Sequence, residues 1–465
     1  MDVSILFLGA ASEVTGSKYL LRIDHFNLLV DCGMFQGKRK LKELNWADFP
    51  IKPEEINAVV LTHAHTDHTG YLPRLVRLGY KNPVYCTSAT ADLMHLMLMD
   101  TAKFQVEDAE FAKKKGYSKH ENPKPLFTQE DVECIQPMIR TASFEERIQI
   151  TEQIAVTFYN AGHVLGAAII EITLIGDTET KKIVFSGDLG RYNDPLLYPP
   201  KTIDFADILF VESTYGDKII KQTDRNDIIE IMNETFEKDG NLMVPAFAVG
   251  RTQTLLMYLK NIMMTKEIPL VKIAVDSPMA ISATELYRKH SDYHKLKDID
   301  LEEDEAFLIL KKCLIISKTS DDSKKINDIT QDLVIIAGNG MMSGGRIMHH
   351  LFHRLSDPKN VVLIPGYQAE GSKGRLLQEG AKTIRIFGQE IDVNAKIFTI
   401  HGLSAHADRN ELLQWLSGFK RAPMKTFVIH GEKESAGALC EALKEQGWNA
   451  QVPSYMDEIE LFKNI

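Results

Sequence analysis

Short apolar runs rich in Val, Ile and Leu recur along the first two hundred residues, each bounded by turn-forming residues. They predict strands over 3–9, 26–30, 57–62, 154–159, 168–175, 182–186 and 207–211. Between 87 and 115 the pattern changes to a long, charged, amphipathic stretch with helical spacing, and Pro123 and Pro125 punctuate the segment after it. This part of the chain reads as stacked sheets with helices outside. From about 220 the texture becomes a regular alternation: helix 225–238, strand 241–245, helix 251–264, strand 270–275 and helix 279–289. It continues with helix 302–310, strand 313–316, strand 333–337, helix 345–354 and strand 360–364. Alternation of this kind predicts parallel βαβ units in a separate α/β domain. After about 372 come a short helix, strands around 383–400, helix 409–418, strand 425–429 and helix 434–446. The expected organisation is a first domain over 1–215, an inserted α/β domain over 216–370, and a return to the first domain over 371–465.

With 465 residues, the chain is too long for one ordinary hydrophobic core, which agrees with more than one domain. Hydrophobic residues at 44% and charged residues at 25% exclude a disordered or fibrous protein. No run approaches the roughly 18 apolar residues of a membrane span, and the opening residues lack a basic export signal, so a cytoplasmic protein without membrane contact is expected. Cys32, Cys86, Cys134, Cys313 and Cys440 are odd in number, scattered and never in C-x-x-C, which predicts reduced thiols and no cysteine-built zinc site. A formal net charge of −10 is unfavourable for meeting nucleic acid unless a local patch or bound cations supply the positive field.

The densest chemistry follows the apolar run before Thr62: His63, His65, Asp67 and His68 stand within six residues, in Thr62-His63-Ala64-His65-Thr66-Asp67-His68-Thr69-Gly70. A tight loop at a strand end can turn His63 and His65 to one side and Asp67 and His68 to another, so one loop can seed two adjacent cation sites. The alternative is a polar loop with Asp67 capping the next helix. That alternative leaves three imidazoles and a carboxylate packed without compensation, which is costly.

The run HAHTDH resembles the H-x-H-x-D-H signature of the metallo-β-lactamase superfamily, and further motifs follow in order. Asp31 ends the strand NLLV, His163 stands in NAGHVLG, and Asp188 stands in FSGDLG. The chain also resembles the β-CASP nucleases, relatives of the RNA 3′-end-processing endonuclease. Glu212 in VESTYG matches their motif A, His406 in GLSAHAD motif B, and His430 in VIHGE motif C. The likeness extends through PAFAVGRTQ, DSPMA, GMMSGGR and GYQAEGSKGR. It implies an α/β protein: a metallo-β-lactamase αββα sandwich with an inserted β-CASP domain.

By this resemblance two zinc ions are held per chain, one by His63, His65 and His163, the other by Asp67, His68 and His430, with Asp188 bridging. Nitrogen and carboxylate ligands suit zinc, and open positions let a hydroxide bridge the pair and attack a phosphodiester. Asp67 is placed among the catalytic groups as well. Asp31 is expected to orient the histidine loop, because metal-bound imidazoles donate their other N–H to such a partner. His406 is assigned as general acid toward the departing ribose oxygen, with Glu212 holding and polarising it.

Histidine at motif C is found in the RNA-cleaving members, whereas DNA-cleaving relatives generally have an aliphatic residue there, so single-stranded RNA is the expected substrate. Arg251, Ser277, the Ser343-Gly344-Gly345-Arg346 turn, and Ser372, Lys373 and Arg375 are candidates for holding its phosphates. His349 and His353, at i and i+4, have helical ligand spacing but no acidic partner nearby, so a third metal site is not expected. The N-terminal RNA-binding extension of archaeal relatives and the long C-terminal domain of the bacterial exonucleases are not expected either. A homodimer, and the choice between endonuclease and 5′ exonuclease, stay open. Two rival readings share the fold: a hydrolase of small thioesters or lactones, and a non-catalytic scaffold subunit of an RNA-processing complex.

Overall fold

The computed structural model describes residues 1–465 except 116–122, 178, 222–224, 298–303, 367, 369–370 and 401. The chain divides into two compact units, Met1–Asn193 with Tyr198–Ile219 and His406–Ile465, and Asp194–Leu197 with Ile220–Ala405.

The first unit is built on two seven-stranded sheets. One runs Glu458–Phe462, Val3–Phe7, Tyr19–Ile23, Phe26–Val30, Ala58–Val60, Val84–Thr87 and Ile139–Ala142. The other runs Ala450–Gln451, Lys425–Ile429, Ile208–Glu212, Thr180–Phe185, Ala168–Ile175, Ile154–Asn160 and Arg147–Thr151. In each sheet the pairing changes from antiparallel hairpins to parallel neighbours partway across.

Strand alternation explains the layers. Along Ile208–Glu212, Ile208 and Phe210 face the other sheet, joining Ile5, Phe7, Val156, Phe185 and Phe427 in one core. Leu209 and Val211 face outward and pack with Leu412 and Trp415 of helix Arg409–Leu416 and Leu439 and Leu443 of helix Lys433–Glu445. A strand covered on both faces reads as an unbroken apolar run, and ILFV is such a run. Between the sheets, the Phe210 ring stacks on Phe185 at 4.2 Å and on Phe427 at 4.9 Å.

The second unit has a six-stranded parallel sheet in the order Leu314–Ile316, Lys272–Asp276, Leu333–Ala337, Asn241–Pro245, Val361–Ile364, Lys396–Thr399. Val244, Val275 and Ile336 belong to the core under the helices Arg225–Phe236, Arg251–Met263 and Pro278–Lys289. Met243, Ala274 and Ile335 belong to the opposite core, under Ile347–Arg354. This is the doubly covered sheet that the alternating pattern predicts.

The structure therefore has the mixed α/β architecture expected of the sandwich and its insertion. The chain re-enters the first unit at His406, not at 371, because Lys396–Thr399 extends the parallel sheet of the second unit beside Val361–Ile364. Residues 194–197 also belong to the second unit, through a bridge from Leu197 to His294. The helix predicted over 302–310 is described only from Glu305 and runs to Cys313; its first predicted residues lie outside the described ones.

Candidate metal centre

The parallel strands of the first unit end together, and their following turns carry the polar groups singled out in the sequence. Asp31 follows Phe26–Val30, and the loop 62–68 follows Ala58–Val60. Asp188 follows Thr180–Phe185, Glu212 closes Ile208–Glu212, and His430 follows Lys425–Ile429. His163 arrives from the turn after Ile154–Asn160. Asp31 and His430 both hold left-handed backbone, at φ 57° and 47°, a strained state for non-glycine residues that surrounding structure must enforce.

Two groups of ligand atoms result, His63, His65, His163 and Asp188 in one, Asp67, His68 and His430 in the other, each within 4.8 Å of one another. His65 Nδ1 stands 3.1 Å from His63 Nε2 and 3.2 Å from His163 Nε2. In the second group His68 Nε2 stands 3.1 Å from His430 Nε2, which is 3.6 Å from Asp67 Oδ2. Asp188 lies between them. Its Oδ2 is 3.5 Å from His63 Nε2 and 3.6 Å from His163 Nε2, and its Oδ1 is 3.3 Å from His68 Nε2 and 3.4 Å from His430 Nδ1.

These spacings fit cations. Four ligands at zinc–nitrogen bond lengths of about 2.0–2.1 Å form a tetrahedron with edges of about 3.3 Å. Asp188 Oδ1 is buried and makes no hydrogen bond among the described residues, a costly state that a coordinated ion relieves. Four of these groups have charges that point the same way, whereas on His68 burial acts downward but Asp188 and Asp31 raise the imidazole well above its usual range. Burial and the neighbouring His68 keep His63 well below the usual imidazole range, leaving it neutral and able to ligate. Burial likewise lowers His65. For Asp188 burial acts upward, but His430, His68 and His63 outweigh it and hold the carboxyl well below its ordinary value. Burial also opposes ionisation of Asp67, and the neighbouring imidazoles of His430 and His68 bring it down to about 2.

Around these groups is a second layer of hydrogen bonds. Asp31 Oδ2 meets His68 Nδ1 at 2.7 Å, while its Oδ1 accepts from the Thr62 N–H at 2.8 Å. Thr62 Oγ1 donates to Asp31 Oδ2 at 2.9 Å and faces His63 Nδ1 at 3.0 Å. Thr214 Oγ1 faces His430 Nδ1 at 3.1 Å. Thr62 and Thr214 were not visible as functional residues, although each adjoins a motif that was.

A third cluster joins Asp188 to Glu212 and His406. Glu212 is fully buried and accepts from the backbone N–H of Leu189 at 2.7 Å and of Thr214 at 3.1 Å. His406 Nδ1 lies 3.4 Å from Glu212 Oε1 and 3.9 Å from Asp188 Oδ2. Burial acts downward on this imidazole, but the Glu212 carboxylate raises it to about 9.

The candidates on the second unit all follow C-terminal ends of its parallel strands, the edge where open α/β sheets collect ligands. Several spend their polar groups internally. Ser277 and Ser372 cap helices, accepting from the N–H groups of Ala280 and Arg375 at 3.2 and 3.1 Å. Arg251 donates to the Pro365 carbonyl, and Arg375 pairs with Glu379 at 2.7 Å. Arg346, expected to hold a phosphate, donates to Asp276 Oδ1 at 2.6 Å and to the Ser317 carbonyl at 2.9 Å. Ser343 and Gly345 are exposed, Gly344 and Lys373 partly so, and Gly345 holds φ +73° in the turn before helix Ile347–Arg354. His349 packs against Phe387 with the rings tilted and their centres 4.6 Å apart, and neither it nor His353 belongs to a metal-ligand cluster among the described residues.

Imidazoles and carboxylates gathered at the strand ends of a double-sheet sandwich define a metal-dependent hydrolase fold. Comparison with known proteins agrees along the chain. Residues 20–207 match a metallo-β-lactamase superfamily domain, 252–377 a β-CASP domain, and 390–453 a Zn-dependent metallo-hydrolase RNA specificity domain. A ribonuclease of Thermus thermophilus is 36% identical over 452 residues, 95% of this chain and 96% of its own length. An RNase J-like protein of Methanocaldococcus jannaschii is 32% identical over 93% of both chains. The transcription termination factor FttA of the same organism is 31% identical over 99% of this chain and 72% of its own. A crystal structure of a protein of unknown function from Enterococcus faecalis shares the fold, with a TM-score of 0.57 at 13% identity over 99% of this chain and 100% of that one. The chain belongs to the β-CASP group of the metallo-β-lactamase superfamily.

Proposed function

We propose that this protein is a zinc-dependent ribonuclease that hydrolyses phosphodiester bonds of single-stranded RNA, with two zinc ions per chain. The observation that carries the reading is Asp188, which offers one carboxylate oxygen to each of two imidazole sets. His63, His65 and His163 would hold one ion, Asp67, His68 and His430 the other, and the nitrogen and carboxylate donors favour zinc. Once bound, the pair supplies an acidified water and positive charge for the phosphoryl oxygens.

The remaining steps belong to the chain's own groups. Asp31 and Thr62 fix the tautomer and orientation of His68 and His63. Glu212, pinned by two backbone N–H groups, holds the Nδ1 edge of His406, which leaves the opposite ring nitrogen to carry a proton. As the bond from phosphorus to the ribose oxygen breaks, that proton passes to the departing oxygen. Substrate choice draws on the named activities of the Thermus and Methanocaldococcus relatives and on histidine at position 430. Filled ligand positions argue against a scaffold, and a β-CASP insertion argues against a small-molecule hydrolase.

The test is metal analysis and cleavage of 5′-labelled RNA by the purified chain. Expected are about two zinc ions per chain, loss of cleavage on chelation, and recovery with zinc. Internal fragments identify an endonuclease, released mononucleotide a 5′ exonuclease. His65→Ala is expected to lose metal and cleavage together, and His406→Ala to keep metal and lose turnover. Full cleavage by His406→Ala, or by the chelated wild type, would refute the assignment.

A further inference from the structure

A groove of about 660 Å³ lies on the first unit against the histidine loop, away from the ligand atoms themselves. Its lining comes from residues 34–46, from helix Ser88–Lys115 and from 123–126, and it includes Thr66, the residue between His65 and Asp67. The walls are held before any ligand arrives. Asn45 exchanges two hydrogen bonds with the backbone of Phe35, at 2.9 and 2.8 Å. Gln105 accepts from the Leu126 N–H at 2.9 Å, and Gln36 donates to Thr66 Oγ1 at 2.6 Å.

Three features say what fits. First, Trp46 lines the groove with 52% of its surface exposed, and the Arg74 guanidinium lies 5.6 Å from its ring centre, a backed aromatic plate. Second, the rim is basic on a chain of net charge −10. Helix Arg39–Leu44 and its N-cap carry Lys38, Arg39, Lys40 and Lys42, and Lys124 lines the groove as well. Acids stand there too: Asp108 in the lining, Glu107 and Glu110 on the same helix, and Glu43, which is paired with Arg39 at 2.9 Å. Third, the Gln36 and Gln105 side chains line the inner surface, fixed by Thr66 and by the Leu126 N–H, and give the groove a preformed polar wall. Cations for phosphates and an aromatic plate for a base, set on a polar wall, together describe a single-stranded nucleic-acid subsite. An apolar helix or strand would leave these ammonium groups without a partner for their charge.

We propose that this groove is an auxiliary RNA site that holds roughly one or two nucleotides of the substrate outside the segment being cleaved, a load suited to ligand pockets of this size. The proposal rests on the ribonuclease reading of the metal centre. Its continuity with the histidine loop through Thr66 makes it a tether for longer substrates, one that acts on binding and leaves the chemistry untouched.

The experiment uses the full zinc-loaded chain, a short RNA of about five nucleotides and a long one of about twenty, which exceeds a single binding site. Trp46→Ala is expected to raise KM for the long RNA about tenfold, the loss of one base–aromatic stack, with kcat and all short-RNA kinetics unchanged. The exposed double variant Lys42→Gln/Lys124→Gln is expected to flatten the salt dependence of log affinity for the long RNA by about 1.4, at about 0.7 per cation. An unchanged KM and salt slope for the long RNA in both variants overturns the proposal, as does equal damage to short and long RNA. Concentration-dependent dimerisation abolished by Trp46→Ala would place a second copy of the chain in the groove and also overturn it. If the wild type cleaves neither RNA, the metal-centre reading fails by itself. Tryptophan quenching by the long RNA, present in the wild type and absent in Trp46→Ala, then still supports the groove, and no quenching overturns it.

Discussion

Glu212→Gln isolates the proposed acid catalyst by changing one charge and almost no volume. In the wild type the Glu212 carboxylate stands 3.4 Å from His406 Nδ1 and raises that imidazole to about 9. Unit charges at this distance attract by about 5 kcal/mol at an effective dielectric of about 20, and by about 1 kcal/mol in water. The His406 side chain keeps 22% of its surface exposed, so a value of about 2–3 kcal/mol between these limits is appropriate. At 1.36 kcal/mol per pH unit, neutralising Glu212 lowers the His406 pKa by about two units. A general acid works only while protonated, so activity falls as pH rises through that pKa. The alkaline limb of kcat/KM is therefore expected about two pH units lower in Glu212→Gln than in the wild type. Bound cations lower both limbs together, which makes the difference the quantity to read. The assay is initial cleavage of a short labelled RNA across the pH range, with metal content checked at each end. Coincident alkaline limbs in the two proteins would refute the coupling of Glu212 to His406.

Three further outcomes test the frame that holds the site. Gly33→Ala is expected to lose zinc, because a Cβ there would overlap the Asp67 carbonyl and crowd the Ser17 N–H; metal content after gel filtration measures this. Phe210→Ala removes the middle ring of the stack between the sheets and is expected to destabilise the first unit by about 3–5 kcal/mol, read from urea denaturation. Asp276 is buried and accepts from Ser317 and Ser323 at 2.6 Å each, from Arg346 at 2.6 Å and from His350 at 2.7 Å. Burial acts upward on its pKa, but these partners, His350 foremost, hold the carboxyl well below the ordinary range. A depressed carboxylate stabilises the fold above its unfolded pKa of about 4 and loses that contribution as the solution is acidified below it. Asp276→Asn is accordingly expected to destabilise the second unit at pH 7 and to shrink its loss of stability between pH 5 and pH 3, followed by circular dichroism.

Much of this architecture was legible because the covering of each sheet is written in its strands. ILFV at 208–211 and LVIIA at 333–337 are apolar throughout because helices or a second sheet cover both faces. Strands with mixed patterns escaped notice: Arg147–Thr151 and Glu458–Phe462 lie at sheet edges and expose alternate residues. Lys396–Thr399 was visible as a strand, but its partner was not, since pairing with Val361–Ile364 depends on the topology of the whole sheet. The histidine loop was readable from its density alone. Glu212, His406 and His430 stand far from it in sequence and were found through family motifs. Thr62 and Thr214 carry hydroxyls of a kind found everywhere, and only their distances to imidazoles single them out. Arg346 shows the reverse problem. A guanidinium beside two glycines suggests an anion, and its actual partner, Asp276, comes from a strand 70 residues earlier.

The separation of the two ligand sets along the polypeptide has a consequence for biosynthesis. His63, His65, His163 and Asp188 emerge from the ribosome early, whereas His430 is translated 362 residues after His68, its neighbour in the second set. A nascent chain thus lacks a complete second cation seat until His430 has been translated.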